Sequence, residues 1–106
     1  ELFAHLMTKK AFVLGAMSTT FKNSNGLPAE GHLSTCHDLF IISRAALQKP
    51  FFAETVAKTE EYMNHPGYPQ GKLIKNTNRL LATYPGTKGI KTGTTDSAGK
   101  CLVGLA

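Results

Sequence analysis

Cysteine is scarce in this chain: Cys36 and Cys101 are the only two among 106 residues. Two thiols are too few for the disulfide framework of a small secreted scaffold, and both are expected to act as small buried hydrophobes rather than as a bridge. Long apolar runs are missing as well. No stretch approaches the eighteen or so residues that cross a bilayer, and nothing at the start resembles a signal peptide. There is no internal repeat and no low-complexity tract. Acidic residues are few, seven against twelve Lys and Arg, so the net charge is +5. Such a balance favours anionic partners such as wall polymers, lipid headgroups or nucleic acid, although a merely soluble basic surface has the same charge. The chain opens within a helical pattern without an initiator methionine and stops at "CLVGLA" within an apparent strand. Both ends therefore read as cut.

What is present belongs to a globular sequence, 42% hydrophobic and 18% charged, of a length that suits one domain. In "ELFAHLMTKKAFVLG" the residues Phe3, Met7, Ala11 and Leu14 recur at helical spacing, Leu6 and Val13 widen the stripe, and Gly15 is placed to end it. Residues 16–31 are rich in Ser, Thr, Asn and Gly and read as a long ordered loop. "STCHDLFIISRAALQKP" opens with the spacing of a capping box, in which the Thr35 hydroxyl and the Asp38 carboxylate can satisfy free amides of the first turn. Pro50 stops that helix, and Leu39–Ile42, apolar on every side, predict that it is central and buried. Residues 51–57 suit a short helical piece, "KTEEYMN" a strand and "HPGYPQG" a loop. After a polar turn at "NTNRLL", residues 87–95 read as a strand, "DSAG" as a turn, and residues 100–106 as a second strand, apolar on both faces and expected inside a sheet.

The stretch "GIKTGTT", residues 89–95, sets one lysine and three threonines around a glycine on a strand. A phosphate cradle is the first reading to weigh. A P-loop needs four residues between its glycines, then Gly-Lys-Thr, then a helix. Here Ile90 separates Gly89 from Lys91, and a strand follows. His32, Cys36 and His37 beside Asp38 match no standard zinc spacing, and Asp38 is better explained as a helix cap. The remaining reading is a strand edge that holds a carboxylate. Lys-Thr-Gly is one of three short elements of the active-site-serine penicillin-binding proteins and β-lactamases, the others being Ser-x-x-Lys and a Ser-x-Asn type triplet.

The triplet does not stand alone. "FAHLMTKKAFVLGAMSTTFKNSNGLP", "STCHDLFIISRAAL", "NTNRLLATYPGTKGIKTGTT" and "AGKCLVGLA" together resemble, in order and along nearly the whole chain, the serine-type D-alanyl-D-alanine carboxypeptidases, the low-molecular-mass penicillin-binding proteins. Thr8 departs from the Asn usual there, and Lys100 from a common aromatic. The resemblance implies an α/β (α+β) chain, part of the β-lactamase/DD-peptidase fold, with an antiparallel sheet packed against helices. It implies that residues 1–106 are one partial transpeptidase-like domain truncated at both ends, lying after the Ser-x-x-Lys and Ser-x-Asn motifs. It also implies removal of the terminal D-alanine of peptidoglycan stem peptides through a serine acyl-enzyme that β-lactams trap, outside the cytoplasmic membrane. No metal, organic cofactor or nucleic acid is implied, and a membrane enters only through segments outside this chain.

Carried onto these residues, the resemblance makes Lys91 and Thr94 catalytic and Lys91, Thr92, Gly93 and Thr94 substrate-binding. Lys91 supplies positive charge near the substrate carboxylate and the serine network, and Thr92 a hydroxyl for that carboxylate. Gly93 leaves room for the helix that bears the nucleophile, and the Thr94 amide is the second oxyanion-hole donor. Two look-alikes are set aside. Ser97-Ala98-Gly99-Lys100 reads Ser-x-x-Lys but falls in a turn where Gly99 disfavours a helix, and Tyr62-Met63-Asn64 falls on a connecting strand. A non-catalytic module that binds peptidoglycan peptides, and a basic interaction domain unrelated to the wall, remain as alternatives.

Overall fold

The computed structural model describes residues 2–106; Glu1, at the head of the first expected helix, lies outside the described residues. Helix α1 spans Leu2–Leu14, α2 Cys36–Leu47 and α3 Pro50–Ala57. A hairpin of β1 (Glu60–His65) and β2 (Tyr68–Lys75) follows, then a single turn of helix, α4 (Leu80–Thr83), and a second hairpin of β3 (Gly89–Thr95) and β4 (Gly99–Leu105). Helices and antiparallel strands thus make an α+β chain. Among the described residues the strands form two separate two-stranded sheets, not one.

The helical face that is buried is the small one. In α1 the buried residues are Ala4 and Ala11, and Ala16 follows just beyond the helix, while Phe3, Leu6 and Val13 of the expected stripe are exposed. Alanine lets the loop backbone come close to the helix, and Thr8 on the same side ties the two together. Its hydroxyl accepts from the Phe21 amide at 2.9 Å and lies 3.0 Å from the Ala4 carbonyl, to which it donates. The loop closes through paired Thr20 and Leu33 amide bonds, so it is ordered as expected.

Helix α2 begins as its capping spacing predicts, with the Asp38 amide donating to Thr35 Oγ1 at 3.1 Å. The Asp38 carboxylate does something else. Instead of turning back to its own first turn, it accepts from the Ser18 amide and the Thr19 hydroxyl, each at 2.7 Å, and pins the loop to the helix N-terminus. Pro50 begins α3 at a position where its missing N–H costs nothing. The expectation of a central, buried α2 fails in this chain: Asp38 is its buried residue, and Phe40 is 60% exposed. Leu39, Ile41 and Ile42 are only half-buried, because among the described residues no element covers the far side of the helix.

Two further expectations are corrected. "HPGYPQG" is not a loop: only Pro66 and Gly67 turn, and β2 runs from Tyr68 antiparallel to β1. Pro69 is tolerated because a two-stranded ribbon consists of edge strands, where a missing amide donor costs little. Strand β4 is not interior to a sheet either, since among the described residues it pairs with β3 alone. Leu102 is 52% exposed and Cys101 is exposed with it. Cys36, the first residue of α2, is exposed too, so neither thiol is the buried hydrophobe expected; both are free.

Candidate active-site strand

Strand β3 forms because Ile90, Thr92, Thr94 and Thr95 are β-branched and pair with β4 in unbroken register, Lys91 opposite Val103, Thr92 opposite Leu102, Gly93 opposite Cys101 and Thr94 opposite Lys100. Residues 96–98 turn the chain, and the Ala98 amide donates to Thr95 Oγ1 at 3.0 Å. A strand locked to β4, with no helix after it, cannot wrap a phosphate as a P-loop does. Packing from below comes from α3, whose Val56 lies against Gly89.

Lys91 is exposed, and its ammonium donates to the Thr92 carbonyl of its own strand. Among the described residues it makes no ion pair, so the charge remains available to an incoming anion. Thr92, on the opposite face by strand alternation, is half-buried, while Gly93 and Thr94 are exposed. A Cβ built on Gly93 meets nothing within 4 Å, so this chain itself does not require glycine there. Among the described residues β3 is paired on one edge only, leaving its other backbone edge open.

Sequence reasoning missed the residues that brace this strand. Thr77 Oγ1 lies 2.5 Å from Thr92 Oγ1. Asn78, 5% exposed, donates from Nδ2 to the Gly89 carbonyl at 3.2 Å and accepts the Leu80 amide on Oδ1. The Asn-Thr-Asn run was visible as turn chemistry, since Asx side chains bond backbone two residues on. Which strand it would brace was not.

The look-alikes sit apart. Ser97 occupies the β3–β4 turn and Lys100 is on β4, so no helix aligns the two. The Tyr62 hydroxyl donates to the Gln70 carbonyl at 2.6 Å, a bond across the first hairpin. His32 Nδ1 accepts the Lys22 amide at 2.8 Å, and no three His, Cys, Asp or Glu side chains gather as a metal site among the described residues.

Beside β4, an apolar groove of about 450 Å³ runs between Leu39, Phe40 and Leu47 of α2 and Ile90, Leu102 and Leu105 of the second hairpin.

With this geometry in view, the sequence profile of the D-alanyl-D-alanine carboxypeptidases matches residues 1–106. The chain belongs to the D-alanyl-D-alanine carboxypeptidase family. It is 39% identical over 106 residues to the D-alanyl-D-alanine carboxypeptidase DacF of Bacillus subtilis, covering all of this chain and 27% of that protein. It is 42% identical over 102 residues to a D-alanyl-D-alanine carboxypeptidase of Mycobacterium tuberculosis, covering 94% of this chain and 34% of the relative. A penicillin-binding protein of Listeria monocytogenes, solved in its cefotaxime-bound form, superposes with a TM-score of 0.83 at 36% identity over 96% of this chain and 41% of its own. The chain thus spans about a quarter to a third of the curated relatives it matches. The family's fold accounts for an α+β chain whose strands are antiparallel.

Proposed function

We propose that residues 1–106 are part of the catalytic domain of a serine-type D-Ala-D-Ala carboxypeptidase, with the serine nucleophile and its lysine outside this stretch. One observation carries the reading: Lys91, Thr92 and Gly93 lie on a strand with one open edge, in a chain that matches the family along its whole length. An extended stem peptide can add to that edge as a further strand, with main-chain hydrogen bonds fixing its register. The exposed Lys91 ammonium and the Thr92 hydroxyl then meet the terminal carboxylate, and the Thr94 amide serves as one oxyanion-hole donor.

In the reaction so supported, the serine oxygen attacks the carbonyl of the penultimate D-alanine and the scissile amide breaks. The terminal D-alanine leaves as the free amino acid, and water hydrolyses the ester to release the trimmed stem and regenerate the serine. A β-lactam acylates the same serine by opening its ring. The substrate is cell-wall peptidoglycan, so the protein acts outside the cytoplasmic membrane. No helix among the described residues is long and apolar enough to cross a membrane.

The test is intact-mass measurement of the full-length protein after incubation with a β-lactam. A stoichiometric adduct on a serine outside residues 1–106 is expected. An adduct on Ser97 overturns the assignment of the nucleophile, and no adduct, with retained binding of stem peptide, favours a non-catalytic peptide-binding module.

A further inference from the structure

We infer that Thr77 is a positioning residue for substrate recognition: it holds and polarises the Thr92 hydroxyl toward the terminal carboxylate of the peptide. The inference rests on the proposed role of β3 and deepens it. The segment is built to be rigid. The Asn76 amide donates to the Thr59 carbonyl at 2.8 Å, and Asn76 Nδ2 to the Lys58 carbonyl at 2.9 Å. Asn76 Oδ1 in turn accepts the Asn78 amide at 2.9 Å, and buried Asn78 is fastened to Gly89 at the start of β3. Thr77 is thus fixed on both sides by asparagines whose side chains are spent on backbone groups, and its own side chain is exposed. Among the described residues its hydroxyl has one hydrogen-bond partner, Thr92 Oγ1.

A pair of hydrogen-bonded hydroxyls has two protons and uses one between them. If Thr92 donates to Thr77, its proton is withdrawn from the strand; if Thr77 donates to Thr92, the Thr92 proton is left for a third group. A carboxylate beside Thr92 selects the second arrangement, because a charge-assisted bond is about twice as strong as a neutral one and polarises the hydroxyl behind it. Thr77 therefore sets which way Thr92 points and strengthens what it donates, without touching the scissile carbonyl. A residue acting so changes binding of the carboxylate end and leaves the chemical step alone.

The test compares Thr77→Val and Thr77→Ser with wild type in the full-length protein. Two peptide substrates are used, one ending in D-Ala-D-Ala with a free carboxylate, the other with that carboxylate amidated. Thr77→Val keeps shape and removes the hydroxyl. It is expected to raise KM for the free acid roughly three- to tenfold, the range of one ordinary hydrogen bond, with kcat little changed. Thr77→Ser is expected to restore KM, and the amidated peptide to be indifferent to either change. An equal loss on both peptides, a fall in kcat with KM unchanged, or a Thr77→Ser variant as poor as Thr77→Val overturns the assignment of Thr77. A wild-type protein that neither turns over the free acid nor binds β-lactam overturns the underlying reading of β3 instead.

Discussion

At the scale of single residues, the charge on Lys91 and the carboxylate of Asp38 do opposite work. Lys91 contributes little to the fold, since among the described residues its ammonium reaches only its own strand. In the full-length protein Lys91→Ala is expected to slow β-lactam acylation about 10²–10³-fold, the usual effect of removing a preorganised electrostatic group. The thermal midpoint should stay where it was. A wild-type acylation rate, or activity lost only in proportion to folded protein, would show that Lys91 is a surface charge. Asp38 is 3% exposed and structural. The Thr19 hydroxyl holds its pKa below the ordinary aspartate value, aided by the Ser18 amide, His37 and Thr35, while burial pushes the other way. A carboxyl whose folded pKa is depressed contributes stability above its unfolded pKa and loses it as pH falls through the folded value. Stability should therefore drop on acidification below about pH 4, and Asp38→Asn should be less stable at neutral pH but lack that acid-dependent component. Denaturant unfolding across pH 2–7 on both proteins, as an estimated window around the aspartate range, checks this. The spacing of Thr35 and Asp38 was legible from the chain. The partner of the carboxylate was not, because Thr19 and Ser18 reach it through a loop whose path no periodicity encodes.

At the scale of elements, β3 and β4 were readable because β-branched alternation flanks a short turn signal. Strand β2 was not, because Pro69 and Gly71 carry loop chemistry and only its pairing with β1 makes it a strand. The two glycines of β3 that matter separate packing inside this chain from packing outside it. Gly89 has φ +140° and sits where a Cβ would fall 2.8 Å from Val56 Cγ2. Gly89→Ala is thus expected to destabilise the full-length protein by about 1–3 kcal/mol, from strain and overpacking together. Gly93 is unobstructed within this chain. If it clears a path for the helix that bears the nucleophile, Gly93→Thr lowers both acylation rate and thermal midpoint in the full-length protein. Calorimetry and acylation kinetics on the two variants test the distinction, and a Gly93→Thr protein with unchanged rate and midpoint removes the close approach. The candidate strand was therefore legible as a strand that carries Lys91 and Thr92. Its brace through Thr77 and Asn78 became visible only once tertiary structure brought a turn against a strand fifteen residues away.

At the scale of the whole molecule, the surface shows how little of this fold closes on itself. The chain exposes 8349 Å², whereas a compact monomer of its mass exposes about 5,800 Å². Its radius of gyration is 15.2 Å, against about 13 Å for a compact domain of this length. Among the described residues the buried apolar ones are three alanines, Ala4, Ala11 and Ala16. Large side chains such as Phe3, Phe12, Phe40 and Leu102 remain open to solvent. The apolar circumference of α2 and β4 pointed to interior elements, and the structure overturns that: Phe40 is 60% and Leu102 52% exposed, in a chain that spans about a quarter to a third of the curated relatives it matches. Burial of such faces is the main favourable term in folding. Without it the entropy of ordering a hundred residues is not offset. Residues 1–106 expressed alone are therefore expected to lack a cooperative thermal transition, to bind a hydrophobic dye, and to associate at micromolar concentration. They should also neither cleave a D-Ala-D-Ala peptide nor gain mass with penicillin, because binding groups without the nucleophile give little turnover. A sharp calorimetric transition in a monomeric preparation would show that the open faces of α2 and β4 need no cover, and with it the reading of this chain as one part of a larger packed domain would fall.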